Sequence, residues 1–187
     1  MAFEKYKESS MKKLNDAKRE KLVDEPAMAL VDEINAKKDY FTSSSCYGRV
    51  MLINFAGEKG RANFVERWHR TVSFDEVKKA LDGANGVIWL RMEPLILHVS
   101  CRDVESAGRL LRAKERAGIK RGGIFSVANG RVQIEIEGTQ RVESLVKVGG
   151  TQVVSDDYVR NIVKIANERF ERNARDWEKL RSEIKKL

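Results

Sequence analysis

Apolar residues recur along the chain at two spacings, and the points where the spacing changes predict the elements. Phe3, Tyr6, Leu14 and Ala17, set among many charges, read as an amphipathic helix with a thin apolar stripe over 3–22. Asp24-Glu25-Pro26 opens a second helix, with Pro26 in the first turn, where its missing amide hydrogen costs nothing. Met28, Val31 and Ile34 give that helix a buried face, and it ends near Asp39. Val50 to Phe55 predicts a strand, Gly57-Glu58-Lys59-Gly60 a turn, and Asn63 to Val72 a returning strand carrying Trp68, His69 and Arg70. Ser73-Phe74-Asp75-Glu76 is a capping box for a helix closing near Leu81, with Gly83 suited to a left-handed stop.

Val87 to Met92 and Leu95 to Ser100 are apolar runs split by Glu93-Pro94. A proline is excluded from the middle of a paired central strand, so the chain bulges, bends or turns there. Asp103 caps a helix through Ala107, Leu110, Leu111 and Lys114 to a stop at Gly118. Asn129-Gly130 predicts a hairpin between Gly123–Ala128 and Arg131–Glu137. Further short strands flank Gly149-Gly150, and Ser155 opens a last helix with the stripe Val159, Ile162, Val163, Ala166, Phe170, Trp177 and Ile184. Helices and strands mix without steady alternation. The expected class is therefore α+β, a single domain over 1–187, with a mixed or mostly antiparallel sheet and packed helices rather than a Rossmann-type fold.

Composition narrows the partners. The 187 residues are 42% hydrophobic and 34% charged, which suits a globular chain rather than a disordered one. The net charge of +8 favours a polyanion, nucleic acid ahead of a membrane surface. No stretch approaches the ~20 apolar residues of a membrane span. The charged N-terminus is no signal peptide, and two cysteines in different settings, Cys46 and Cys101, suit reduced thiols in a cytoplasm.

Two segments carry candidate chemistry. Thr42-Ser43-Ser44-Ser45-Cys46-Tyr47-Gly48-Arg49 would fill a core poorly, because each buried hydroxyl needs a partner. It suits a pocket wall, with Arg49 offering a planar fork to phosphate or carboxylate. In the second segment His98 and Ser100 share the strand face opposite Leu97 and Val99, and Glu93 stands at the proline break, an acid/base arrangement. His98 as a satisfied core histidine is the plain alternative. His98 and Cys101 have a ligand-like spacing, but no Cys-x-x-Cys accompanies them and no metal is expected. A Cys46–His98 nucleophile pair lacks a third, orienting group. Gly118-Ile119-Lys120-Arg121-Gly122-Gly123 lies between a helix and a strand, the reverse of a dinucleotide or P-loop order. With Arg109, Arg112, Lys114 and Arg116 on the preceding helix, Lys120 and Arg121 read as a phosphate-tracking patch or a solvated face. Trp68 and Trp89 are available to stack a splayed base or to anchor a core.

Taken in order, Ser44-Ser45-Cys46-Tyr47-Gly48-Arg49, Trp68-His69, Trp89 through Glu93-Pro94 to His98, Cys101-Arg102-Asp103, Ala117 through Ile124, and Ala166-Asn167-Glu168 resemble the tRNA wybutosine-synthesizing protein 3 family, the 4-demethylwyosine N-methyltransferases. Tyr47 and Gly122 depart from that pattern, each standing where a serine is usual. The resemblance implies methylation by S-adenosylmethionine of a tricyclic wyosine precursor, of the 7-aminocarboxypropyl-demethylwyosine type, beside the anticodon of phenylalanine tRNA. It implies His98 as proton acceptor, with Glu93 orienting the imidazole or the base edge. Ser44, Ser45, Cys46 and Arg49 would hold substrate, Trp68 and His69 would stack or bond the base, and Lys120 and Arg121 would bind tRNA backbone in the anticodon-loop complex. A basic tRNA-binding module without catalysis and a thiol hydrolase built on Cys46 are the competing classes.

Overall fold

The computed structural model describes residues 2–57 and 62–187, so Glu58, Lys59 and Gly60 of the expected turn lie outside the described residues. The elements are α1 (Ala2–Arg19), a 3-10 turn at Glu25–Ala27, α2 (Met28–Ala36), β1 (Tyr40–Cys46), β2 (Arg49–Asn54), β3 (Asn63–Trp68), α3 (Phe74–Gly83), β4 (Val87–Glu93), β5 (Ile96–Cys101), α4 (Val104–Arg116), β6 (Ile124–Ala128), β7 (Arg131–Glu137), β8 (Val142–Val148), β9 (Thr151–Gln152) and α5 (Asp156–Lys185). The class is α+β with antiparallel pairing throughout the named ladders. The strands form two sheets where one was expected, ordered β1-β5-β7-β6 and β3-β2-β4-β8-β9. Among the described residues no helix is long and apolar enough to cross a membrane.

The chain divides into two compact units. The first comprises Met1–Tyr47, Leu95–Thr139 and Ala174–Leu187, and the second Gly48–Pro94 and Gln140–Asn173. The chain therefore passes between units at Tyr47–Gly48 and again at Pro94–Leu95, inside the two segments that sequence singles out. Proline does here what its chemistry requires: the first apolar run ends one sheet's strand, and the second begins a strand of the other.

In the first unit Leu97, Val99 and Cys101 of β5 and Val132, Ile134 and Ile136 of β7 share one buried sheet face. Helix α4 packs beside these strands and α2 beside β1. Asn35 of α2 fixes β1 by accepting from the Thr42 amide (2.8 Å) and donating to its hydroxyl (2.9 Å). In the second unit Val50, Leu52, Ile88, Leu90 and Met92 are buried, with Val77 and Leu81 of α3. Asn129 and Gly130 both take positive φ (53° and 70°), the two-residue hairpin turn that the right-handed twist of the strands demands.

The hydroxyl run forms strand β1 itself, paired antiparallel with β5. Two local expectations change. β3 stops at Trp68, short of Val72. Gly83 is the last helical residue of α3 and has no positive φ; the turn to β4 uses Gly86 (φ 105°).

Candidate active site

The polar face of the first sheet is built by register. Ser44 of β1 stands opposite His98 of β5, and His98 stands opposite Glu135 of β7, giving one row across three strands. His98 Nε2 lies 3.0 Å from Glu135 Oε2, and both side chains are about one-third exposed, at 30% and 36%. An ionised carboxylate only accepts, so Nε2 carries hydrogen and the neutral imidazole keeps its lone pair on Nδ1. The carboxylate seen to hold the imidazole is Glu135 of β7, a residue that sequence reasoning did not name beside Glu93, for which it left open the imidazole or the base edge. The missed signal was the alternation Gln133-Glu135-Glu137, which places three polar residues on one face of β7. The ring of Phe125 completes the group, with its centroid 5.3 Å from that of His98. Along β1, Thr42, Ser43, Ser44 and Ser45 line a cavity of about 400 Å³ with Ser10, Lys13, Leu14 and Ala17 of α1.

Cys46 lies opposite Ile96, hence diagonal to His98 on the same face. Cys101, three residues from His98, is on the other face, fully buried, and desolvation pushes its thiol up to about 12. His98 and Cys101 point to opposite sides of the sheet and form no ligand pair.

The second unit holds the other half of each segment. Arg49 of β2 is opposite Glu93 of β4, and its guanidinium donates to Glu93 Oε2 at 2.9 Å. Arg49 also stands 5.1 Å over the Phe64 ring, which Arg67 approaches at 5.4 Å. Arg91 lies 5.7 Å from both Phe55 and Trp89 and pairs with Glu143. This face is a set of guanidiniums resting on aromatic rings, a surface suited to anions and to π systems. Trp68 is not on it. Its partner Val50 is one residue from Arg49, which puts Trp68 on the opposite face, where it lines a depression with Glu76, Lys79 and Ala80 of α3. His69 follows the strand end and is half-buried.

Comparison with known proteins decides the lineage. The family model described as methyltransferase TYW3 matches residues 5–186. A Pyrococcus abyssi protein named tRNA(Phe) 7-((3-amino-3-carboxypropyl)-4-demethylwyosine(37)-N(4))-methyltransferase 1 is 36% identical over 99% of this chain and 97% of its own. The mouse protein named tRNA wybutosine-synthesizing protein 3 homolog is 32% identical over 92% of this chain and 69% of its own. The solved structure of the PH1069 protein from Pyrococcus horikoshii superposes with a TM-score of 0.94 at 33% identity, covering 98% of this chain and 96% of that one. This chain belongs to the methyltransferase TYW3 family.

Within the TYW3 frame the two departures have physical causes. Tyr47 is buried, stacks edge-on against Trp177 at 5.3 Å, and its amide donates to Asp24 at 2.8 Å, so it serves packing. Gly122 has φ +86°, and a Cβ there would lie 2.1 Å from the Glu135 carbonyl oxygen, so the serine usual in TYW3 proteins has no room here. The basic patch contracts. Lys114 is buried and donates to the carbonyls of Lys120, Arg121 and Gly122 at 3.3, 3.1 and 2.9 Å, a structural clamp whose ammonium pKa burial lowers. Arg109 pairs with Asp39 and Glu105, and Arg116 with Glu183. Lys120 and Arg121 are exposed at the entry to β6, Arg121 3.3 Å from Glu137.

Proposed function

We propose that this chain is the S-adenosylmethionine-dependent methyltransferase that N-methylates the 7-(3-amino-3-carboxypropyl)-4-demethylwyosine base beside the anticodon of phenylalanine tRNA, working in the cytoplasm as one domain over residues 1–187. The observation that carries the reading is the His98–Glu135 pair, an oriented and accessible imidazole on the polar sheet face of a TYW3 protein.

The cavity beside α1 suits such a donor: about 400 Å³ is within the usual range for small-molecule sites, and its lining mixes hydroxyls, an ammonium and apolar carbons. Ser43, Ser44, Ser45 and Lys13 would hold an α-amino-acid group, which the donor's methionyl end and the base's 3-amino-3-carboxypropyl arm have in common. When bound, the donor supplies an electrophilic methyl group on sulfonium sulfur. The chain's own work is alignment and proton removal. His98 Nδ1 would accept the proton that N4 of the base gives up on methylation. Glu135 holds the imidazole by its Nε2–H and stabilises the imidazolium that results, as the carboxylate of a hydrolase triad does. Arg49 steers phosphate while Glu93 fixes the guanidinium plane, and Lys120 and Arg121 add backbone contacts.

The test is incubation of the protein with labelled methyl donor and tRNA from a strain lacking this gene, followed by nucleoside analysis. Label in the N4-methylated nucleoside is the expected result. Salt-sensitive tRNA binding with no label transferred would make the chain a non-catalytic RNA-binding module.

A further inference from the structure

We infer that Phe125 is the platform on which an unpaired nucleobase of the RNA stacks, next to His98; this rests on the methyltransferase reading above for which base it is. β6 is the edge strand of the first sheet, and it leaves Ile124, Phe125 and Val127 exposed at 45%, 54% and 67%. A soluble chain rarely leaves three large apolar side chains open on five consecutive residues without a partner for them.

The register explains how the phenyl ring is aimed. Ile124 pairs with Ile134 and Ser126 with Gln133, so two steps on β6 match one on β7 and Phe125 is the extra residue of a bulge. Ile134 belongs to the buried face and Gln133 to the polar one. The bulge lets Phe125 join Ser126 on the polar side instead of following strict alternation, and its ring then meets the imidazole at 5.3 Å with the planes inclined by 51°. More than half of the residue stays open to solvent.

The surroundings select the ligand. An apolar peptide would want an apolar groove, but the ring's neighbours across the face are His98, Glu135 and Gln133, all hydrogen-bonding groups. A planar heterocycle matches both features, presenting a π face to Phe125 and a polar edge to the imidazole. Charge agrees, since Lys120 and Arg121 precede β6 in a chain of net charge +8 and attract a phosphate backbone. Trp68, the aromatic that sequence nominated, faces α3 on the other sheet.

The test uses the full chain and an anticodon stem-loop RNA carrying 5-iodouridine at the nucleotide 3′ to the anticodon. Irradiation should couple that nucleotide to the peptide containing Phe125. Phe125→Leu, apolar and similar in size but without a π face, should lose the crosslink and weaken binding roughly 5- to 150-fold, as loss of one stacked base does. Phe125→Tyr should retain both. Equal crosslinking and affinity in Phe125→Leu overturns the inference. So does equal loss in Phe125→Tyr, or Phe125-dependent self-association in place of RNA binding. A protein that transfers no methyl group but crosslinks through Phe125 leaves the base site standing while the enzymatic reading falls. Methyl transfer by Phe125→Leu at the wild-type KM does the reverse.

Discussion

Two faces of this molecule carry polar rows of similar make-up, and they have opposite chemical character. On the first sheet, Ser44, His98 and Glu135 form a row in which the imidazole is oriented by one carboxylate and keeps a nitrogen in hand. On the second, Arg49, Arg67 and Arg91 are already engaged, with Glu93 and Glu143 as counter-ions and Phe64, Phe55 and Trp89 as supports. Groups that satisfy one another are good at holding position and poor at moving protons. A group with one fixed partner and one open nitrogen can accept a proton and release it. On the proposed function, that difference puts chemistry on the first sheet and binding on the second.

Kinetics separate the two most sharply. His98→Ala removes the proposed proton acceptor, and single-turnover methyl transfer should fall about 10²- to 10⁴-fold with little change in tRNA affinity. Arg49→Ala removes a charged contact made equally in ground and transition states, so KM should rise roughly 10- to 100-fold with kcat nearly kept. Glu135→Gln belongs with His98, shifting the pH–rate profile rather than KM. If His98→Ala moved KM alone and Arg49→Ala moved kcat alone, the assignment would be inverted.

Glycines behind each row provide the next contrast. Gly122 has its missing Cβ 2.1 Å from the backbone oxygen of Glu135, the residue that holds the imidazole. Gly122→Ala must displace β7 and should cost about 3 kcal/mol or more, seen as a lower denaturation midpoint together with lost activity. Gly48 (φ +108°) meets a side-chain atom first, Asn173 Nδ2 at 2.7 Å, and then the Glu93 carbonyl at 3.1 Å. Gly48→Ala should cost less, about 1–3 kcal/mol, because an amide side chain yields more readily than a strand. Equal losses would mean that β7 relaxes as easily as a side chain.

What sequence could reveal follows the same divide between local and distant contacts. The Ser73 capping box, the Asp103 cap, the Asn129-Gly130 hairpin and the break at Pro94 rest on neighbours within a few residues, and each is where it was expected. The alternation of His98 and Ser100 against Leu97 and Val99 was readable for the same reason. Glu135 was not, because pairing β5 with β7 joins positions 37 apart in the chain. The face of Trp68 was left open because one step along a strand exchanges faces, and nothing local fixed the step. Lys114 looked like surface charge because helical spacing cannot tell an exposed ammonium from one folded under its own C-terminal loop.

Lys114 has a counterpart in the second unit. Lys147 is buried and donates to the carbonyls of Leu81 (2.7 Å) and Asp82 (3.2 Å) at the end of α3. Each lysine donates to a cluster of carbonyls, three for Lys114 and two for Lys147, and among them Arg121 also accepts from the Glu137 amide and Leu81 from the Ala84 amide. Lys114→Met and Lys147→Met should each cost about 1–3 kcal/mol in urea unfolding, with Lys114 the larger. Only the Lys114 change should also weaken tRNA binding, since its carbonyls belong to the segment bearing Lys120 and Arg121.

The smallest effect separates the helices beside the two sheets. α3 starts with Ser73 as cap and Glu76 reaching back, whereas α4 starts with Asp103 as cap and Ser106 reaching back. Arg70's guanidinium, then the Ser73 amide and hydroxyl, hold the Glu76 carboxyl down to about 2. Bonds from Ser106 lower Asp103 as well. A carboxylate depressed on folding stabilises fully above its unfolded value and loses that contribution as pH falls through its folded value. Helicity and Tm should therefore decline from about pH 4.5 toward pH 2. Glu76→Gln keeps an acceptor for Ser73 but removes the titrating group, so the decline should shrink on the α3 side alone, and Asp103→Asn should do the same for α4. Because the Arg70–Glu76 pair lies at the surface, with side chains 58% and 39% exposed, 0.5 M salt should weaken the Arg70 contribution and leave the cap bonds of Ser73 in place. A variant carrying both changes that still loses helix over the same pH range would place the acid-sensitive groups elsewhere, with the Glu183 carboxyl, lowered by its bonds from Arg116 and Lys186, the next to test.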